Sequence, residues 1–247
     1  MNVEKKSKRQ LRREQMQKKQ SRNRLITIGI ITLVAAFLVF VFVSPLLRSA
    51  GEIITVTPAD LPNPDGLSLG DPNAPVTVEV FEDFQCPACR NFTETVQPLI
   101  IEHLIKPGKV LYVFHHFPFL DGDNARSGGE SDQAANAAMC ANEQGKFWPM
   151  SAIMFANWNG ENQGNLNNTR LKAMAESIGL EMNEFNDCFN ANKYEDEIQA
   201  DFDYGEEIGV AGTPSVFVNG IRVGQPGFIP QYQEIAEAVE IAIFQSP

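Results

Sequence analysis

The longest feature in the pattern of hydrophobic and polar positions is an uncharged, apolar run over residues 25–47. As a helix that rises about 1.5 Å per residue, this run would extend over roughly 34 Å, which is enough to cross a bilayer. The run is longer than the apolar core of a usual signal peptide, and no clear small-x-small cleavage site follows it. We therefore predict a transmembrane helix over 25–47 that is kept as an anchor.

Short runs rich in β-branched and aromatic residues predict the strands of a folded region that begins near residue 67. These runs occupy residues 76–81, 110–115, 215–219 and 221–224. Asn219-Gly220 separates the last two runs and is typical of a two-residue hairpin turn. The first run leads directly into a helical pattern from Cys86 to about residue 105, which Pro98 should kink.

The pattern between the second and third predicted strands, from about residue 124 to 209, is helical. Glycine-containing turns separate five helical blocks, which occupy residues 134–142, 147–156, 169–177, 184–189 and 194–208. A last amphipathic helix is predicted over 231–244. The order strand, helix, strand, helical insertion, hairpin and helix predicts one α/β domain over 67–247.

Charge divides the chain into a basic start and an acidic body. Residues 1–24 hold ten Lys or Arg and two Glu, a net charge of +8, whereas residues 49–247 hold nine basic and twenty-nine acidic residues, a net charge of −20. By the positive-inside rule, the basic tail over 1–24 should lie in the cytoplasm and the acidic domain on the other side of the membrane. Residues 48–66 are proline-rich without periodicity, which predicts a linker.

The same charges bear on the class of partner. An acidic body would repel the phosphates of nucleic acids, so we expect no nucleic-acid partner. The basic tail is read as a topology signal that is also attracted to anionic lipid.

Two cysteines open the first predicted helix, in the order Cys86-Pro87-Ala88-Cys89. This spacing in a first helical turn brings both sulfurs to one face, close enough for a reversible disulfide. The unpaired N–H groups and the positive dipole end of the helix favour the thiolate of Cys86, and Pro87 loses no hydrogen bond at the first helical position. We therefore predict Cys86 as the exposed nucleophile and Cys89 as the buried resolving thiol. A static disulfide and half of a zinc site are the alternatives.

The other two cysteines, Cys140 and Cys188, each lie in a helical block without a partner nearby in sequence. The favoured interpretation is a structural disulfide that staples the helical insertion; the alternatives are two buried free thiols, or a resolving or shuttling role. Zinc normally needs a second close cysteine pair, which these two do not form in sequence, so we predict no metal site and no cofactor.

Three segments carry a resemblance to a known family. Segment 81–89 (FEDFQCPAC) resembles the active-site signature of the DsbA-like thiol-disulfide oxidoreductases of the thioredoxin superfamily. Segment 212–220 (GTPSVFVNG) is similar to the cis-proline loop of that family, and segment 144–148 (QGKFW) resembles part of its helical insertion. The resemblance is collinear over about residues 67–244.

The resemblance implies a thioredoxin-like fold with a helical insertion and a role in oxidative folding. It implies that Pro214 is cis and packs against the cysteine pair, and that Thr213 lends backbone hydrogen bonds to a substrate peptide. The implied function is a membrane-anchored dithiol oxidase outside the cytoplasm that donates its disulfide to reduced secreted or membrane proteins. The implied partner for reoxidation is a quinone-linked membrane protein of the DsbB or VKOR-like kind.

One position departs from the family pattern. Many relatives carry an acidic residue six positions before the nucleophile, where it assists proton transfer, whereas this chain has Val80 there. Glu79 and Glu82 are close in sequence, but by strand alternation they need not face the same way as that position, so the proton relay stays open.

Several other residues are candidates for site roles. His115 and His116 end the second predicted strand and would either tune Cys86 electrostatically or cap the strand. Aromatic residues at helical spacing, which should line the core or a groove, are Phe147, Trp148 and Phe155. Polar residues in the loop after the second strand, read as a turn in preference to a cation site, are Asp121, Asp123 and Asn124.

Two other functions stay open from the sequence. The first is a disulfide isomerase or reductase that uses the same cysteine pair. The second is a non-catalytic, chaperone-like domain that binds peptides in the groove of the fold.

Overall fold

The computed structural model describes residues 8–43, 50–57, 59–121 and 128–245, and the chain divides into two units, Met1–Ser49 and Ala50–Pro247. In the described part of the first unit, helix α1 spans Lys8–Val43. Its stretch Asn23–Val41 has a mean hydropathy of 2.5 and is long and apolar enough to cross a membrane. Residues 44–47 of the predicted span lie outside the described residues.

The second unit is built on a five-stranded sheet in the order β1-β3-β2-β4-β5. Its strands are β1 Ser68–Leu69, β2 Val76–Glu82, β3 Val110–His116, β4 Ser215–Val218 and β5 Ile221–Val223. β2 and β3 run parallel, and the other neighbours are antiparallel. The sequence pattern predicts four of these strands to within one residue at each end, but it misses β1, because two residues are too few to show alternation.

The predicted hairpin turn between β4 and β5 is confirmed. Asn219 and Gly220 both have positive φ angles, 46° and 76°, as a type I′ turn requires. This turn places the short strand β5 at the edge of the sheet.

Helices surround the sheet. They are α2 Pro87–Thr95, α3 Gln97–Ile100, α4 Glu130–Asn142, α5 Phe147–Ala156, α6 Asn168–Ser177, α7 Met182–Asn190, α8 Glu195–Glu207 and α9 Tyr232–Gln245. The helix predicted from Cys86 to residue 105 is interrupted at Val96, because Pro98 has no N–H to donate to the carbonyl four residues earlier, and a π-helical turn follows α3. Helices α4 to α8 all lie between β3 and β4, where the helical insertion is predicted.

Helix α4 is the centre of the insertion. All of its residues from 134 to 141 are buried, and it contacts α5, α6, α7 and α8. Five of these eight residues are alanine, and such small side chains let the neighbouring helices pack closely around it. The insertion is anchored on the sheet through α8, which contacts β3.

The stretch predicted as a linker over 48–66 differs from a free tether. Ile53, Val56 and Leu61 pack against the core of the second unit. The side-chain amide of Asn157 pairs with the backbone of Ile54 in both directions, with N–O distances of 2.8 and 2.9 Å. The pattern of the segment did not reveal this docking because Asn157 lies about a hundred residues away. Residues 48, 49 and 58 lie outside the described residues.

Candidate active site

Strand β2 ends in a tight turn that delivers Cys86 to the start of α2. One carboxylate oxygen of Asp83 accepts a hydrogen bond from the backbone N–H of Gln85 at 2.8 Å, and the Asp83 carbonyl accepts one from the N–H of Cys86 at 2.9 Å. The hydroxyl of Ser131, on α4, donates to the same carboxylate at 2.7 Å. Burial raises the pKa of Asp83 to about 7. The insertion therefore holds the turn from which the cysteine motif begins.

The second cysteine lies one turn further into the core. Cys89 is fully buried, and Cys86 is only 5% exposed. Cys86 is thus less exposed than predicted, because the loop before β4 covers its side chain. The carbonyl oxygen of Thr213 lies 3.3 Å from the Cys86 sulfur, and the Thr213–Pro214 peptide bond is cis.

The two thiols are electrostatically unequal. A hydrogen bond from the Cys89 side chain is the largest cause that lowers the pKa of Cys86 to about 6, with help from Thr213 and from the N–H groups of Cys89 and Ala88. Burial raises the pKa of Cys89 well above its usual range. The first sulfur is therefore held as a thiolate near neutral pH, whereas the second stays protonated.

Glu82 is the functional candidate that the sequence left undecided. Side chains alternate along β2, so Glu82 shares a face with Val80, the position of the missing family acid, and Glu79 points to the other face. One Glu82 oxygen accepts a hydrogen bond from the Thr93 hydroxyl at 3.3 Å, and the other is buried without a partner. Burial raises the pKa of Glu82 to about 8, and the negative charge of Cys86 adds to the increase.

The opposite face of the sheet holds an ion cluster. His115 Nδ1 lies 2.9 Å from Asp201 Oδ1, its Nε2 lies 3.3 Å from Glu79 Oε1, and the hydroxyl of Tyr204 donates to the same Glu79 oxygen at 3.1 Å. Burial opposes the charge, but hydrogen bonds to Asp201 and Glu79 raise the pKa of His115 to about 9. This cluster fastens α8 to the sheet on the face away from the cysteines.

His116 belongs to the core. It lies among the rings of Phe84, Phe114 and Phe147, and burial lowers its pKa to about 4. Neither histidine forms a hydrogen bond to Cys86 in the described part of the chain, which agrees with the structural interpretation of this pair.

The remaining candidate residues from the sequence form a disulfide or pack in the core. Cys140 and Cys188 are joined in a disulfide that links α4 to α7, with the Cα atoms 5.8 Å apart. Phe147, Trp148 and Phe155 are buried in the core, and Phe155 contacts the ring of Phe84 beside the cysteine turn.

The predicted polar turn after β3 is seen in part. Asp121 accepts hydrogen bonds from the backbone N–H groups of Ser131 and Asp132, at the start of α4. Asp123 and Asn124 lie outside the described residues. Among the residues that the structure describes, no group of three acidic, histidine or cysteine side chains suits a metal ion.

Comparisons with known proteins agree with this geometry. The sequence profile of a family described as Thioredoxin matches residues 62–238. A probable disulfide bond formation protein D from Bacillus anthracis is 30% identical over 163 residues, which cover 65% of this chain and 72% of that protein. The Na(+)/H(+) antiporter NhaA 3 of Salinispora tropica is 33% identical over 174 residues, which cover 70% of this chain but only 24% of the antiporter.

Solved structures show the same architecture. BdbD from Bacillus subtilis superimposes with a TM-score of 0.64 at 23% identity, covering 78% of this chain and 100% of that one. The alpha-DsbA1 of Wolbachia pipientis superimposes with a TM-score of 0.61 at 25% identity, covering 76% of this chain and 95% of that one. These superpositions confirm the predicted thioredoxin-like fold with a helical insertion.

Proposed function

Because this chain belongs to the thioredoxin family, and within it to the DsbA-like thiol-disulfide oxidoreductases, we propose that it works as a dithiol oxidase. In this proposal the Cys86–Cys89 disulfide is donated to reduced secreted or membrane proteins. The observation that carries the proposal is the inequality of the two thiols: the pKa of Cys86 is lowered to about 6, whereas that of Cys89 is raised.

The inequality favours one direction of transfer. Holding Cys86 as a thiolate stabilises the dithiol form of the enzyme, so the disulfide form becomes the better oxidant. Lowering the pKa from 9.0 to about 6 stabilises the dithiol form by about 1.4 kcal/mol at pH 7, or about 30 mV for this two-electron couple, and by about 4 kcal/mol above pH 9. A shift of that size makes the disulfide easy to transfer to a substrate with two ordinary thiols.

The exchange proceeds in two steps. A substrate thiolate attacks the Cys86 sulfur, the Cys86–Cys89 bond breaks, and Cys89 leaves as a thiolate. A second substrate thiolate then attacks the substrate sulfur of the mixed disulfide and releases Cys86 as a thiolate. Two substrate thiols are oxidised to one disulfide, and the enzyme disulfide is reduced to the dithiol. The edge formed by Thr213 and Pro214 would hold the substrate chain beside Cys86.

Glu82 is the proposed source of the proton for Cys89. Its pKa of about 8 keeps the carboxyl protonated at neutral pH, and the pKa of Cys89 lies well above that value. A proton therefore moves downhill from the carboxyl to the leaving thiolate, which would otherwise be an unpaired charge in the core. The negative charge of Glu82 contributes to the raised pKa of Cys89, so the two groups interact in the core.

The proposed location is the outer side of a membrane. The apolar stretch Asn23–Val41 and the basic residues before it support a single anchor with its N-terminus in the cytoplasm. Return of the cysteine pair to the disulfide form needs an oxidant, for which we propose a quinone-linked membrane protein of the DsbB or VKOR-like kind.

The reduction potential of the cysteine pair tests the direction. We expect equilibration of the purified protein with glutathione to give a value far above that of cytosolic thioredoxin, which is about −270 mV. A value near that of thioredoxin would overturn the oxidase proposal in favour of a reductase. The Cys140→Ser/Cys188→Ser double variant is the matched control, since it removes the other disulfide and should leave the potential unchanged.

Trapping experiments test the chemistry itself. In cells, the Cys86 thiolate of a Cys89→Ser variant should attack disulfides of its substrates and accumulate as mixed disulfides, because Cys89 is no longer present to reverse that attack. A Cys86→Ser variant should form none. If Cys86→Ser kept the full function of the wild type in cells, that function would not need the thiol, and the domain would be a peptide-binding module and not an oxidase.

A further inference from the structure

The loop between α8 and β4, residues 208–214, determines the surroundings of Cys86. It brings the Thr213 carbonyl to 3.3 Å from the sulfur. That carbonyl accepts from the Cys86 thiol, whereas the buried Thr213 hydroxyl is a donor that helps to lower the pKa of Cys86 and so favours the thiolate. The N–H groups of Gly209 and Val210 fix the start of the loop to the end of α8, whereas Thr213 itself lies outside any helix or strand, so a tie to the fixed start would keep it in place.

Arg222 contacts both ends of this loop from the edge strand β5. Its Nη2 donates to the carbonyl of Gly209 at 2.6 Å, and its Nη1 donates to the hydroxyl of Ser215 at 3.0 Å. The Ser215 hydroxyl in turn donates to the carbonyl of Gly212 at 2.7 Å, next to Thr213. One guanidinium thus ties the start of the loop to its end.

The guanidinium is held in a fixed plane. Its central carbon lies 4.8 Å from the centre of the Phe217 ring, on the neighbouring strand β4. Within the described residues Arg222 has no carboxylate partner, so its donors serve the loop and not an ion pair. A planar fork stacked on a ring loses little side-chain freedom when it binds two oxygens.

We propose that Arg222 is a positioning residue that holds Thr213 against the Cys86 sulfur. The inference rests on the proposed use of Cys86 as the nucleophile. Without the fork, the start of the loop loses its tie to Ser215, and Thr213 can move away from the thiolate. When Thr213 moves away, its hydroxyl, which helps to lower the pKa of Cys86, moves with it, so the thiolate loses part of its stabilisation and the disulfide becomes a weaker oxidant.

The ionisation of Cys86 measures this effect directly. The reduced full-length protein is alkylated with iodoacetamide over a pH series, and the modified Cys86 peptide is quantified by mass spectrometry. For Arg222→Ala we expect the midpoint to rise by at least half a pH unit, which is about a threefold smaller thiolate fraction at low pH. Arg222→Lys keeps the charge but lacks the fork, so its midpoint should lie between those of the wild type and Arg222→Ala.

Two further variants keep the test decisive. Lys109→Ala is the matched control: it removes one positive charge beside the start of β3, at the far end of the sheet from Cys86, and should leave the midpoint unchanged. Ser215→Ala removes the hydroxyl that joins Arg222 to Gly212 but keeps the hydrogen bond from Arg222 to Gly209, so it should raise the midpoint by less than Arg222→Ala does. If Arg222→Ala does not fold, the midpoints of Ser215→Ala and Arg222→Lys decide whether Arg222 has the positioning role.

Each outcome has one reading. Unchanged midpoints in the Arg222 and Ser215 variants, or an equal rise in Lys109→Ala, would overturn the positioning role. The alkylation does not depend on the direction of electron transfer, so a reducing potential of the wild type would refute the oxidase proposal and leave this inference standing. A wild-type midpoint near that of free cysteine would refute both.

Discussion

Replacing Glu82 with Gln should make the protein more stable at neutral pH. The carboxyl is buried, and the hydroxyl of Thr93 donates a hydrogen bond to it. Glutamine has the same shape and keeps an oxygen that can accept the Thr93 hydrogen bond, but it cannot ionise. The substitution therefore removes the free-energy cost of burying an acid that is ionised in the unfolded chain, and it changes little else in the packing.

The size of the effect follows from the pKa of Glu82, which is raised from 4.5 to about 8. The folded state then binds the Glu82 proton more tightly than the unfolded state, so the contribution of Glu82 to stability is greatest below pH 4.5 and falls as the pH rises toward 8. At pH 7 the loss amounts to about 3 kcal/mol. We expect Glu82→Gln to gain about that much at pH 7 over the wild type, and to match it below pH 4.5.

Urea unfolding between pH 4 and pH 8 measures this difference. The active-site pair is kept as the dithiol and the Cys140–Cys188 disulfide is kept intact. Glu79→Gln is the matched control, because Glu79 lies on the same strand but faces His115, whose hydrogen bond lowers the pKa of Glu79. That substitution should destabilise the protein at neutral pH, and its effect should shrink as the pH falls through the pKa of Glu79.

The result that refutes the reasoning is equally definite. If the free energy of unfolding of Glu82→Gln fell between pH 4.5 and 8 as steeply as that of the wild type, Glu82 would not be a buried neutral acid. The proposed proton transfer to Cys89 would then lose its donor. Conversely, a more stable Glu82→Gln protein that oxidises substrates more slowly would separate the catalytic contribution of the carboxyl from its energetic cost.

Two further predictions concern the attachment of the helical insertion. The pKa of His115 is raised to about 9, so the charged histidine stabilises the fold fully below pH 6.5, and this contribution is lost as the pH rises through 9. In the same urea assay, His115→Gln should lower the free energy of unfolding by about 2 kcal/mol at pH 7. At pH 9.5 the loss should be much smaller. The Cys140–Cys188 disulfide closes a loop of 48 residues, so Cys140→Ser/Cys188→Ser should lower the free energy of unfolding by about 4 kcal/mol. Thermal unfolding measures this change, and an unchanged Tm would mean that the disulfide does not stabilise the insertion.

The sequence by itself determined the features that depend on neighbours along the chain. The apolar run, the alternation of β2, the cysteines at the mouth of α2 and the Asn219-Gly220 turn all act within a few residues of one another. Alternation and helical spacing are local properties, so they predicted the element order and the cysteine pair without any knowledge of the tertiary structure.

Only the tertiary structure decided the relations between distant residues. It buried Glu82 so that the pKa of this carboxyl rises, docked Ile54 on Asn157, and brought Arg222 to the loop that covers Cys86. The physical reason is that desolvation and hydrogen bonding, which set these pKa values and contacts, depend on which groups surround an atom in space. Asn157 is 103 positions from Ile54, and Thr213 is 127 positions from Cys86, and no local pattern records such contacts.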